Sequence, residues 1–216
     1  MNILIGCEES QTVTAAFRAL GHNAYSCDLK PAKINPDWHF HGDIFDVIDM
    51  GWDLAIFHPP CTYLSFAGNG WFDIEKYGDN AVERYANRRE AMDFFMRLAL
   101  CDIPSIAIEN PRGYPCSSYR KPDQIIHPWY FGDEDKKATC LWLKNLPRLT
   151  YCLQDNLFEA KTADKEPAPI YIDKSGQKRY FTDSFSPGPL RQEYRSKTFP
   201  GIANAMADQW TKYLTK

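Results

Sequence analysis

Residues 2–29, NILIGCEESQTVTAAFRALGHNAYSCDL, place an apolar run, an amphipathic run and a second apolar run in immediate succession. Residues 2–8 and 23–29 have the continuous apolar character of buried parallel strands. Between them, residues 10–21 repeat apolar side chains at helical spacing, and Gly21 is suited to end that helix. The stretch therefore predicts a strand–helix–strand unit, which is the repeating element of an α/β fold.

The same alternation continues through the first half of the chain. Residues 53–58 (DLAIFH) and 105–110 (SIAIEN) predict two more buried strands, and residues 79–101 predict a long helix between them. We therefore expect an α/β fold with a mostly parallel sheet and helices on both faces, whose ligands collect at the carboxyl ends of the strands. The polar residues at these ends are Cys7-Glu8-Glu9, Asp28, Asp43, Pro59-Pro60-Cys61 and Glu109-Asn110-Pro111.

Composition limits the classes of protein to consider. The chain has 216 residues, 44% of them apolar, which suits one domain with a sizeable core. The net charge of -3 gives no general basic character, so a nucleic-acid partner would need a local basic patch. No apolar run reaches the roughly 18 residues of a membrane helix, and the first residues are expected to form a strand instead of a secretion signal. The seven dispersed cysteines predict a reduced, cytoplasmic protein without a metal site.

Two acids at strand ends predict a nucleoside site. Asp28 ends the second strand, about twenty residues after the first turn, where a carboxylate can accept two hydrogen bonds from a ribose diol. The first turn, GCEESQ, holds one glycine and makes a poor pyrophosphate cradle, which favours a ligand without phosphates, such as S-adenosylmethionine. Asp43 is expected near the adenine of such a ligand; a turn or cap aspartate is the alternative interpretation.

The segment Pro59-Pro60-Cys61 predicts a nucleophile. Two prolines fix the direction of the chain after residues 53–58 and present the thiol at the sheet edge, where its thiolate can attack an electrophilic carbon. The alternative is a small buried apolar residue. Glu109 follows an apolar run, so we expect its carboxyl to hold a proton near neutral pH. Attack on one ring carbon with protonation of a neighbouring ring nitrogen is the chemistry that cytosine needs before its C5 takes a methyl group.

Residues 58–61 (HPPC) and 108–111 (IENP) resemble the Pro-Cys and Glu-Asn motifs of DNA cytosine-5 methyltransferases. The match is closest to the short, phage- and prophage-type members, which are similar at ILIGCEESQ, TCLWLKNLP and KTFPGIANAMADQW. The resemblance covers most of the chain and is least clear over residues 155–190.

The resemblance implies a class I methyltransferase (Rossmann-like) fold, with S-adenosyl-L-methionine as methyl donor. Cys61 would be the nucleophile and Glu109 would bind N3 and the exocyclic amine of a cytosine flipped out of double-stranded DNA. Pro60 and Asn110 belong to the same two catalytic motifs. The implied cofactor-binding residues are Cys7, Glu8, Asp28 for the ribose, Asp43 for the adenine, Pro59 and Asn204. We expect a monomer or weak dimer. The resemblance also implies a protein that is encoded by a phage or prophage and acts in the cytoplasm of a bacterial host.

The expected organisation is a single methyltransferase-like domain over residues 1–216, with a small irregular target-recognition insertion around residues 154–195. The opening turn departs from the glycine-rich form of the family, and the arginines that usually contact the target base are hard to find. Lys136 and Lys137 stand near that place. The candidate nucleic-acid-binding residues are Arg84, Arg88, Lys137, Lys178 and Arg179, with further cations in residues 191–197.

Two related classes of methyltransferase fit the sequence less well, and two further alternatives stay open. Amino-methyltransferases have an aromatic residue in the place of Cys61, and RNA cytosine-5 methyltransferases take their nucleophile from a second cysteine on the next strand; both patterns are absent from this sequence. The departures from the family pattern also allow a non-catalytic protein of the same fold that binds nucleic acid or nucleotides. A methyltransferase that acts on a free nucleotide is the remaining alternative.

Overall fold

The structure, a computed structural model, describes residues 1–151, 166–184, 188 and 196–216. This part of the chain divides into two compact units. The first unit comprises Met1–Gln11, His22–Ile125 and Thr139–Leu146, and the second comprises Thr12–Gly21, Ile126–Ala138 and Pro147–Lys216. The single methyltransferase-like domain over residues 1–216 stays a prediction. Of the predicted insertion around 154–195, residues 154–165, 185–187 and 189–195 lie outside the described residues.

Strands and helices alternate through the first half of the chain, as the sequence predicts. In chain order the elements are β1 (Asn2–Gly6), α1 (Thr12–Ala19), β2 (Asn23–Asp28), β3 (His39–His41), β4 (Leu54–Phe57), α2 (Ile74–Tyr77), α3 (Asp79–Ala99), β5 (Ser105–Pro111), α4 (Pro115–Ser118), β6 (Gln124–Ile126), β7 (Thr139–Lys144), β8 (Tyr171–Ile172), β9 (Lys178–Arg179), α5 (Phe181–Ser184) and α6 (Pro200–Leu214). Short 3-10 turns cover Pro36–Trp38, Ile44–Asp46, Phe66–Phe72 and Pro128–Phe131.

Seven strands form one sheet in the order β3-β2-β1-β4-β5-β7-β6. The pairs β1–β2, β1–β4, β2–β3 and β4–β5 are parallel, whereas β5 and β7 are antiparallel. The α/β class and the mostly parallel sheet are therefore confirmed, and the arrangement is compatible with a Rossmann-like fold. The strand order reverses between β1 and β4, and ligands of open α/β sheets bind in the crevice at such a reversal.

The core of the first unit lies between the sheet and α3. The central strands are buried on both faces, which explains why their sequences are continuously apolar instead of alternating. Met92, Phe95 and Leu98 recur at helical spacing along α3 and pack in one cluster with Phe57 and Trp142 of the sheet. The ring edge of Phe95 meets Trp142 at 5.3 Å between centroids. This packing fixes α3 beside the carboxyl ends of β4 and β5.

The second unit contains the two helices α1 and α6, which pack against each other. Asp133 accepts a hydrogen bond from the backbone N–H of Gly201 at 2.9 Å and so caps the start of α6. β8 and β9 pair in antiparallel register and form a hairpin around residues 173–177. The placement of helices on both faces of the sheet stays a prediction. None of the helices described here is long and apolar enough to cross a membrane.

Candidate active site

The crevice at the strand reversal is built from the carboxyl ends of β1 and β4. The carbonyl of Gly6 accepts a hydrogen bond from the N–H of His58 at 2.9 Å, and the N–H of Cys7 donates to the carbonyl of Cys27 at 2.7 Å. A Cβ on Gly6 would lie 2.6 Å from the ring of Phe57, so this position has no room for a side chain. Cys7 takes a left-handed conformation, with φ at 61°, although it is not glycine. The chain therefore turns sharply away from the sheet and leaves the crevice open.

A cavity of about 320 Å³ lies at these strand ends. Its lining includes four residues predicted from the sequence, namely Cys7, Asp28, Asp43 and Pro60. The other lining residues are Cys27, Leu29, Gly42, Ile44, Tyr63, Asn87, Glu90, Ala91 and Phe94. Asn87 and Glu90, which lie one turn apart on α3, were not predicted from the sequence.

The charge of this cavity is negative. Asp28, Asp43 and Glu90 bring three carboxylates, and none of its described lining residues is a lysine or arginine. Burial, and then the negative charge of Asp28, raises the pKa of the Cys7 thiol; the same two causes raise the pKa of Cys27 to about 12. Both thiols are therefore neutral at physiological pH. A negative, mostly apolar cavity suits a neutral or cationic ligand better than one that carries phosphates.

The two predicted nucleoside-binding acids also organise their own turns. Asp28 Oδ1 accepts a hydrogen bond from the N–H of Lys30 at 2.9 Å. Asp43 Oδ1 accepts from the N–H of Phe45 at 3.0 Å and caps the 3-10 turn Ile44–Asp46. Asp43 is therefore a cap residue, as the alternative interpretation states, and it also lines the cavity. Each turn fixes its carboxylate at the rim of the site.

The Pro-Pro-Cys motif follows β4, and the Glu-Asn motif forms the carboxyl-terminal part of the neighbouring parallel strand β5; Phe57 is in register with Ile108. The side-chain N–H of Asn110 donates to the carbonyl of Pro59 at 2.7 Å, which ties the Pro-Pro-Cys segment to the Glu-Asn segment. Asn110 Oδ1 is buried and accepts no hydrogen bond from the described residues. Cys61 is half-buried one residue beyond the cavity-lining Pro60.

Glu109 is 8% exposed near the carboxyl end of β5. There it contacts His58, which was not predicted from the sequence as a site residue. His58 Nδ1 lies 3.0 Å from Glu109 Oε2, and each side chain is 9% exposed. The HPPC motif already contained this histidine, but sequence spacing gives no sign that residues 58 and 109 are in contact.

A second connection joins the two loops beyond the motifs. The N–H of Phe66 donates to the carbonyl of Arg112 at 3.1 Å, and the N–H of Tyr114 donates to the carbonyl of Leu64 at 2.7 Å. Between these bonds, Gly113 lies so close to the Cys61 loop that an added Cβ would be 2.1 Å from the carbonyl oxygen of Leu64. This position therefore requires glycine because of close backbone approach.

Arg84 and Arg88, two predicted DNA-binding residues of α3, point their guanidinium groups at the loop after Cys61. Arg84 donates to the carbonyl of Thr62 at 3.0 Å. Arg88 donates from Nε to the carbonyl of Tyr63 at 2.9 Å and from a terminal nitrogen to Asn69 Oδ1 at 2.7 Å. Its guanidinium also lies 3.5 Å from the centre of the Phe72 ring. The two arginines thus hold this loop against α3, and their contact with DNA stays a prediction.

Four of the other predicted residues, Lys137, Lys178, Arg179 and Asn204, lie in the second unit. Asn204 is exposed on α6, and Lys137 is half-buried in the segment before β7. In the hairpin, Lys178 is exposed, whereas Arg179 forms an ion pair with Asp173 at 2.6 Å. Of the cations predicted in residues 191–197, those at 191 and 195 lie outside the described residues. In the first unit, Glu8 is 4% exposed and, like Pro59, is not a lining residue of the cavity.

No family model matches this chain, and no curated protein matches it either.

Proposed function

We propose that the chain is an S-adenosylmethionine-dependent DNA cytosine-5 methyltransferase with Cys61 as its nucleophile. One observation carries the proposal. The segment Pro59-Pro60-Cys61 runs from the cavity wall at Pro60 to a half-buried thiol; Asn110 donates a hydrogen bond to Pro59, and Glu109 contacts His58, the residue before the segment. These contacts support the proposal because they bring the segment that holds the proposed nucleophile and the segment that holds the proposed acid together beside the cavity-lining Pro60.

The charge and lining of the cavity suit the proposed methyl donor. S-adenosylmethionine has a sulfonium cation and no phosphate, and three carboxylates and no described cation line the cavity. Asp28 would hold the ribose hydroxyls and Asp43 the adenine, with Ile44 and Phe94 as apolar walls. When bound there, the cofactor supplies an electrophilic methyl group. The sheet order, with its reversal between β1 and β4, supports the class I methyltransferase fold that the motifs imply.

The side chains of this protein supply the remaining chemistry. The Cys61 thiolate forms a bond to C6 of cytosine, while Glu109 holds a proton at N3, so the ring electrons move towards C5. C5 thereby becomes nucleophilic and takes the methyl group. The C5 proton then leaves to water, the bond between Cys61 Sγ and C6 breaks, and the N3 proton returns to Glu109, which restores the ring and the thiolate. Cys7 and Cys27 cannot replace Cys61 because their raised pKa keeps them as thiols.

A covalent trap tests the proposal. The protein is incubated with S-adenosylmethionine and duplex DNA that carries 5-fluorocytosine in varied contexts, and adducts that resist denaturing detergent are counted. The fluorine at C5 cannot leave as a proton does, so the bond to Cys61 persists. We expect an adduct that disappears in Cys61→Ala and persists in Cys101→Ala, which changes another half-buried cysteine of the same unit.

The negative outcomes separate the alternatives. An adduct that survives Cys61→Ala would reject Cys61 as the nucleophile. Binding of S-adenosylmethionine without an adduct on any DNA, together with methylation of a mononucleotide, would favour the free-nucleotide enzyme. Absence of both adduct and cofactor binding would favour a non-catalytic binding protein of the same fold.

A further inference from the structure

We propose that His58 is the positioning residue of Glu109, a role that rests on the proposed function of the site. The backbone of His58 is fixed independently of the contact with Glu109, because its N–H donates to the carbonyl of Gly6 at the end of β1. Pro59 follows directly and restricts the backbone of His58. The ring is thus attached to backbone that is hydrogen-bonded at the strand reversal.

Glu109 is the more mobile partner of the two, because three side-chain torsions separate its carboxyl from the backbone. The 3.0 Å contact of Oε2 with His58 Nδ1 fixes the direction of the carboxyl. Both side chains are 9% exposed, so little water is present to replace this contact if it is lost. A carboxyl that must meet N3 of a flipped base within hydrogen-bond distance depends on such orientation.

An imidazole suits this task because it is a neutral donor. With the hydrogen on Nδ1, His58 donates to Oε2 of Glu109 in both states of the carboxyl, and the single carboxyl proton lies on Oε1. The contact between His58 and Glu109 can therefore persist while Oε1 gives its proton to N3 and recovers it. A cationic donor such as lysine would instead favour the ionised carboxylate.

The test compares two substitutions of His58. His58→Leu removes the polar contact at similar volume, and His58→Asn places an amide near the position of Nδ1. We expect His58→Leu to lower kcat for methyl transfer to DNA by about 30-fold, and His58→Asn to recover the rate to within about threefold of the original. The KM for DNA and the affinity for S-adenosylmethionine should change by less than about twofold in both variants. His22→Leu, a control at the opposite edge of the parallel sheet, should leave kcat unchanged.

A double-mutant cycle shows whether His58 acts through Glu109. In a Glu109→Ala background, His58→Leu should lower the residual rate by less than about twofold, because the group it positions is gone. Multiplicative losses, or failure of His58→Asn to recover any rate, would overturn the positioning role while the proposed function stands. If the unsubstituted protein neither methylates DNA nor forms the 5-fluorocytosine adduct, the proposed function fails and the role of His58 falls with it.

Discussion

The loop after Cys61 (residues 62–73) and the β8–β9 hairpin both contain glycine and polar residues. They differ in whether distant or neighbouring residues stabilise them. The Cys61 loop contacts residues distant in sequence, from Arg84 and Arg88 on α3 to Gly113 after β5. The hairpin is held by Asp173, which accepts hydrogen bonds from Ser175, Gln177 and Arg179 within six residues of itself.

This difference shows which of the two predicted functional regions is fixed by the fold. A loop that two other elements hold cannot move without disturbing the packing of α3 or the end of β5. The hydrogen bonds that Asp173 accepts are local to the hairpin, so we expect the hairpin to open without global unfolding. Catalytic geometry needs the first kind of support, whereas a surface that follows DNA can use the second.

The largest expected effect is at the closest approach in the Cys61 loop. Gly113→Ala places a methyl group 2.1 Å from the carbonyl oxygen of Leu64, and both are backbone positions that cannot rotate away. We expect the free energy of unfolding to fall by about 3 kcal/mol and adduct formation at Cys61 to fall more than about tenfold. Urea denaturation measures the first effect and the 5-fluorocytosine trap the second. Gly70→Ala, whose added Cβ meets nothing within 4 Å, is the control; equal stability of the two variants would contradict the prediction.

The second expected effect distinguishes loop support from DNA contact at Arg88. The pKa of Arg88 is lowered, chiefly by burial. Its guanidinium donates hydrogen bonds to Tyr63 and Asn69 in the loop. Arg88→Gln should therefore lower the free energy of unfolding by about 2 kcal/mol, whereas Arg89→Gln, at an exposed position, should stay within about 0.5 kcal/mol.

The salt dependence of DNA binding completes this test. If Arg88 only holds the loop, the slope of log affinity against log salt should match that of the unsubstituted protein. A slope that becomes shallower by about 0.9 would show instead that Arg88 neutralises a phosphate.

The smallest expected effect is in the hairpin. Hydrogen bonds from Ser175 and the Arg179 guanidinium hold the pKa of Asp173 well below its ordinary value of 3.8. Because the folded-state pKa is lowered, the hairpin gains stability from this carboxylate above pH 3.8 and loses it as the pH falls through the lower value. Asp173→Ala should speed amide hydrogen exchange at Gln177 while the midpoint of global unfolding in urea stays unchanged. Ser175→Ala, which keeps the charge, should have a weaker effect. A large fall in global stability would show that the hairpin belongs to the core.

The regular elements follow closely from the sequence because their patterns are local. The predicted helix over residues 79–101 corresponds to α3 at Asp79–Ala99, and the predicted strand over 53–58 corresponds to β4 at Leu54–Phe57. Asp28 ends β2, and Asp43 follows the adjacent parallel strand β3. Both predicted residues therefore line the cavity at the carboxyl ends of the strands. The antiparallel pairing of β5 with β7 was not predicted, since strand direction depends on long-range contacts that periodicity does not contain.

The sequence by itself determined the strand–helix alternation, the acids at the strand ends and the Pro-Pro-Cys and Glu-Asn motifs, because each depends on residues close together in the chain. Only the tertiary structure decided that His58 meets Glu109, that Asn110 holds Pro59, and that Arg84 and Arg88 hold the Cys61 loop. These contacts join residues 22 to 51 positions apart, and they exist because parallel strands bring their carboxyl ends to one edge while α3 packs beside that edge.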